Sequence, residues 1–159
     1  PRYGRSVDRL LESRQQHVHL CDLKNGLFML DIRPSLRAYL LADLAIAAAV
    51  IDRVYTIKIP QGVSATCIVY TRISGGGDYH LQGLSGFARH RYQIDTWAPT
   101  ANGAASLADL IRDRIDGFRG VMGDVTVHGI FFQDQREDYD DEARLHRTGR
   151  DYFIDFAEL

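Results

Sequence analysis

At 159 residues, with 45% hydrophobic and 25% charged side chains, the chain has the composition of one globular domain and is too short for two comfortable ones. A net charge of −2 argues against a protein built to grip nucleic acid, which carries a basic excess. No apolar run approaches the roughly 20 residues needed to span a bilayer, and Cys21 and Cys67 lie far apart without CxxC spacing. The chain therefore reads as a soluble protein made in a reducing cytoplasm, with one possible bridge left open.

Residues 1–28 differ from the rest and read as an N-terminal extension. Ser6 is placed to cap a short helix over Val7 to Arg14, residues 17–23 alternate weakly, and Asn25-Gly26 is a favoured hairpin turn. Either this stretch is a genuine arm, or Met29 is the natural start. Residues 29–159 read as a single domain.

Asp31 and Pro34 predict a helix opening, since proline is tolerated in a first turn. Leu36, Tyr39, Leu40, Leu44 and Ala47 then recur at helical spacing, predicting one helix to about Val50. Arg53 to Ile59 reads as a strand ended by Pro60-Gln61-Gly62, and Ser64 to Ile73 as the strongest strand, rich in β-branched and aromatic residues. Ser74 to Gly86 carries Gly75-Gly76-Gly77, Gly83 and Gly86 and predicts a long flexible loop, because glycine loses the most backbone entropy on ordering. Arg89 to Trp97 alternates again, with Tyr92, Ile94 and Thr96 on one face and Arg91, Gln93 and Asp95 on the other, so the pair suggests an extended hairpin.

Pro99 and Thr100 open a second helix whose buried stripe is Ala104, Leu107, Ala108, Ile111, Ile115 and Phe118, with Gly117 as its terminating glycine. Asp124 to Phe132 and Arg147 to Phe156 read as strands, separated by an acidic segment. The expected fold is α+β: an antiparallel sheet of four to five strands with two main helices packed on it.

Four residue sets invite a chemical reading. His17, His19 and Cys21 share one side of a strand, but a fourth ligand with suitable spacing is missing. Ser74, Asp78 and His80 are triad types lying within one glycine-rich loop that offers no scaffold. Gly75-Gly76-Gly77 lacks the Lys-Ser/Thr and helix of a phosphate loop, and Asp78 follows instead. The acidic segment (Asp134, Glu137, Asp138, Asp140, Asp141 and Glu142) lacks calcium-loop spacing. It reads as a solvated hairpin tip or as a negative lining past which DNA slides. No catalytic constellation, metal site or cofactor emerges.

Several stretches in order resemble one family. Arg33 through Asp43 is similar to its opening helix, Ile68 through Gly76 to its second strand and loop entry, and Arg91 through Ala98 to the following strand. Asp116 through Gly120, then Val125 to Val127 and Gly129 to Phe131, resemble its helix end and late strand. The family is that of the tail completion or tail terminator proteins of long-tailed bacteriophages and related prophage or gene-transfer particles. The resemblance covers about four-fifths of the chain and leaves residues 1–28 outside it.

It implies a non-enzymatic virion subunit, assembled in the host cytoplasm. Such subunits form a ring, commonly of six, on the last tube ring of the tail, stopping its growth and presenting a surface for the head. The partners implied are further copies of the chain, the tail tube protein and a head-closure or connector protein, with DNA only in passage and no membrane. On that reading Tyr79, Leu81, Leu84 and Phe87 would contact a neighbouring subunit or the tube, and the acidic hairpin would face the lumen. The alternatives are a head-closure or head–tail joining subunit and, from another class, a small cytoplasmic enzyme or metal-binding domain.

Overall fold

The computed structural model describes residues 31–157; the extension, its helix at 7–14 and the His17, His19 and Cys21 set lie outside the described residues. Helix α1 (Ile32–Leu41) starts where the sequence places a helix start: the Asp31 carboxylate accepts from the Arg33 backbone N–H, and Pro34 sits in the first turn. The single helix expected to Val50 is two. Asp43 accepts from the N–H groups of Ala45 and Ile46 and so caps a new helix, α2 (Leu44–Val50). That restart turns Leu44 out to 87% exposure, although the periodic stripe had placed it inside, while Leu36, Leu40, Ile46 and Val50 are buried.

The sheet has six strands, not four or five: β1 (Val54–Thr56), β2 (Cys67–His80), β3 (Gly83–Ala98), β4 (Gly120–Met122), β5 (Val125–Asp140) and β6 (Leu145–Ala157). Their order across the sheet is β1-β2-β3-β6-β5-β4. All neighbours are antiparallel except β1 and β2, which run parallel. The purely antiparallel expectation fails at β1 because residues 57–66 return the chain past β1 before β2 begins.

Two further expectations are corrected. The glycine-rich segment is mostly strand: Gly75, Gly76 and Gly77 pair with His90, Arg89 and Ala88, and the hairpin runs to His80 opposite Gly83. The acidic segment is likewise strand from Asp134 to Asp140, paired with β6 as far as Leu145. In both cases a well-formed partner strand overrides weak local propensity.

Helix α3 (Ala101–Ile115) matches its prediction closely. Thr100 accepts from the Gly103 N–H, and Ala104, Leu107, Ala108, Ile111 and Ile115 are the buried stripe. Gly117 takes φ 73° just beyond the end, the left-handed position that glycine fills without strain. The three helices bury this stripe and those of α1 and α2 against alternate residues of the sheet, including Ile68, Tyr92, Ile94, Ile130, Tyr152, Ile154 and Phe156. Each such large side chain removed from water contributes about 1.5–3 kcal/mol. The Thr96 hydroxyl ties the layers together, 2.8 Å from the Ala104 carbonyl of α3 and 3.0 Å from that of Thr148 on β6.

Candidate functional site

Period-2 alternation sends the intervening residues of β3 and β6 to the face opposite the helices. There most of the side chains are charged. On β3 they are Arg89, Arg91, Gln93, Asp95 and Trp97; on β6, Arg147, Asp151, Phe153 and Asp155. Asp151 is 1% exposed, accepting from Arg91 and, at 2.9 Å, from Arg136 of β5. Asp95 is 6% exposed and accepts from Gln93 at 2.9 and 3.0 Å and from Arg147 at 3.1 Å. Arg89 grips Asp155 through two 2.6 Å bonds.

The ladder alternates signs across three strands, and its acids are covered by the arginine stems. Burial pushes the Asp95 carboxyl above the usual carboxylate range, against the pull of Gln93, Arg147 and Arg136. Gly149 lets this happen: a Cβ there would lie 2.6 Å from the Asp95 Oδ1. The Arg/Asp alternation on β3 and β6 was the sequence signal for this face; that its acids would be buried was not readable, because burial depends on which arginines cross from neighbouring strands.

The two long hairpins point to opposite ends of the sheet. At one end, Tyr79 is 72% exposed and Leu81 fully exposed; Leu84 stands opposite Tyr79 in the ladder. Phe87 lies further in, half exposed, with its ring 4.8 Å from that of His128 on β5. The structure thus holds Tyr79 and Leu81 out at the tip and brings Phe87 against its own domain.

At the other end the acidic residues divide by task. Asp134 accepts from the Gln135 N–H, Asp138 from the Tyr139 N–H, and Asp140 from the N–H groups of Glu142 and Ala143 in the turn. Glu137 accepts from the Gln135 side chain at 3.2 Å, and Asp141 and Glu142 are exposed. This turn faces the segment 57–64 across a groove of about 550 Å³ that also meets Val69, Asp95 and Trp97.

Among the described residues the triad-type side chains are not brought together. Ser74, Asp78 and His80 lie along one exposed strand end, where Asp78 bonds the Tyr79 N–H and His80 the Gln82 N–H. Cys67 is buried, its thiol pushed up to about 11 by burial, and so is no nucleophile. Tyr92 and Tyr152 are pushed up to about 12 by burial. Among the described residues no group of three or more His, Cys, Asp or Glu is placed to hold a metal ion, and no helix is long and apolar enough to cross a membrane. The chemistry of the surface is that of a binding face, with open strand edges, exposed apolar tips and organised charge.

Comparison with known proteins gives three results. Residues 34–152 match the family described as tail completion protein gp17. No curated protein matches the chain by sequence. Among solved structures, a chain from the virion of a native gene transfer agent (GTA) particle superposes with TM-score 0.66 and 19% identity, covering 79% of this chain and 94% of that one. At that identity the likeness concerns the fold alone.

Proposed function

Since the chain belongs to the tail completion protein gp17 family and is thereby a structural tail protein, we propose that it caps the head-proximal end of a phage-type tail tube. In this reading copies of the chain close into a ring, by expectation of six, on the last ring of tube protein. The ring stops further tube growth and offers its other surface to the head-closure or connector protein. DNA meets it only while passing through the lumen, and the protein resides in the tail or neck of the particle after assembly in the host cytoplasm.

The observation that carries this is the family match, which spans 34–152 and so includes the described helices and strands except the first two residues of α1 and the last five of β6. The surface chemistry supports it. A chain with paired charges across a sheet face, and with exposed apolar residues that include Tyr79 and Leu81 at a hairpin tip, is equipped for contact with other proteins. Tyr79, Leu81 and Leu84 are assigned to the tube or a neighbouring subunit, and the turn residues Asp141 and Glu142 to the lumen, where negative charge keeps DNA from sticking.

Electron microscopy of particles assembled without this protein tests the reading. Overlong tails lacking heads are expected, because an uncapped tube keeps growing. Tails of normal length detached from heads would replace termination by a head–tail joining role, and normal particles would overturn both.

A further inference from the structure

The outline of the sheet is stepped in a self-complementary way. One row across it runs Gly120–Val127–Phe156–Ala88–Gly77. Here β4 lies outside β5, while β2 is itself the edge. A second row, some eight residues along, runs Val54–Ile68–Thr96–Thr148–Glu137. Here β1 lies outside β2, while β5 is the edge. Each short strand covers half of its own edge, and the two cover opposite halves. Two copies set side by side in the same orientation therefore fit step into step. β4 of one copy falls beside the Gly77 half of the next copy's β2, in parallel sense. β1 of that next copy falls beside the Glu137 half of the first copy's β5, in antiparallel sense.

The two steps offer different chemistry. In the first, no hydrogen bond outside the β2–β3 ladder reaches the backbone of Arg72 to Gly77 among the described residues. A Cβ on Gly76 would meet nothing within 4 Å. Such an edge accepts another backbone at close range. Apolar side chains flank the step on both sides, Ile73 at 48% exposure on β2 and Val121 at 71% on β4.

In the second step several backbone groups already have side-chain partners. On β5, Asp116, Asp134 and Asp138 take the N–H groups of Phe132, Gln135 and Tyr139. On β1, Arg37 donates to the carbonyls of Asp52 and Val54. What remains is charge: the exposed Arg37 along the β1 side, Glu137 and Asp138 along the β5 side.

We propose that these edges are the two halves of one subunit contact, and that the occupant of each is a second copy of this chain. Copies join head to tail, through backbone pairing and apolar contact at the β2–β4 step and through ion pairing at the β1–β5 step. A contact of this heterologous kind closes into a ring when its rotation divides a full turn, and it covers both half-edges described above. The inference rests on the ring reading above and names its interface.

The test uses the full chain carrying Thr56→Cys with Gln135→Cys in a Cys21→Ser background. Both positions are exposed and lie on one row, Thr56–Tyr70–Ile94–Arg150–Gln135. Within one chain they are four strand spacings, about 19 Å, apart, beyond disulfide reach. Mild oxidation of assembled protein is expected to give a ladder of covalent multimers that ends at the ring size, while each single variant stays monomeric on a non-reducing gel. Glu137→Lys with Asp138→Lys is expected to abolish assembly without changing the circular dichroism spectrum. Rings that form without a ladder, or a ladder that stops at a dimer, overturn the edge assignment and leave the ring reading standing. A chain that stays monomeric both alone and with purified tail tubes overturns the ring reading, and the edge assignment with it.

Discussion

Gly75 and Gly76 are adjacent, alike in sequence context and both on β2, yet alanine should act on them in opposite directions. A Cβ at Gly75 would lie 2.1 Å from Cδ2 and 2.6 Å from Cγ of His90, far inside the ~3.5–4.0 Å of a normal carbon contact. His90 cannot swing clear: it is 2% exposed, and its ring stands edge-on to Phe156 at 4.8 Å. Forcing a methyl into such a site costs about 1–3 kcal/mol. At Gly76 nothing lies within 4 Å, and neither glycine has a positive φ. Alanine there only restricts the unfolded chain, stabilising by ~0.4–1 kcal/mol.

The two variants should therefore differ by roughly 1.5–4 kcal/mol. For a chain of this size each kcal/mol moves Tm by about 2–4 °C, so a separation on the order of 5–10 °C is expected. Thermal melts at one fixed protein concentration read it, the concentration being held because self-association raises Tm. Equal melting temperatures, or a larger loss at Gly76, would refute the packing of His90 across Gly75.

Two further outcomes are expected. Because Asp95 holds its proton more tightly folded than unfolded, its ionised form subtracts from stability at neutral pH. That loss is relieved as pH falls through the raised folded value toward the unfolded one, about 3.9. Asp95→Asn cannot titrate, so its Tm relative to the unsubstituted chain should become less favourable from pH 7 down to about 4; a difference that stays flat would show that burial does not govern this carboxyl. A photo-crosslinking residue in place of Tyr79 should yield products joined to another copy or to the tube protein, and only intramolecular products would remove the hairpin tip from the contact surface.

The sequence was most legible where side chains bury in a regular period. The α3 stripe from Ala104 to Ile115 and the alternation of Tyr92, Ile94 and Thr96 against Arg91, Gln93 and Asp95 appear in the structure as read, since burial of one face leaves no freedom of phase; Phe118, also read into that stripe, lies beyond the helix and is only partly buried. The strand ends were not legible. Glycines 75–77 and the acids 134–140 have poor strand propensity, and what orders them is the partner strand, β3 or β6, which lies beyond a turn and outside the local pattern. The break at Asp43 was readable in principle, an aspartate two residues before Ala45 being a capping signal, but the apolar period continued through it and masked the restart. The parallel placement of β1 and the three-residue β4 leave almost no pattern in so short a stretch. Of the expected contact residues, Tyr79 and Leu81 stand out as exposed, whereas Phe87 is half exposed with its ring against His128.

The β3–β6 seam has a consequence for how a subunit comes into being. Each long hairpin, β2 with β3 and β5 with β6, closes over a short turn and can zip locally. The seam joins residues 48 to 70 positions apart, from Ala98↔His146 to Phe87↔Ala157, with α3 threaded between them. Such non-local pairing is the slow step of folding, since the intervening chain loses its freedom before the contacts form. Until it closes, the nascent polypeptide is two separate ribbons, each with an unsatisfied flank. Substitutions along the seam, at Thr96 or Gly149 for instance, should then slow maturation of the subunit, whereas changes at the hairpin ends leave that rate alone and alter only what the finished subunit can touch.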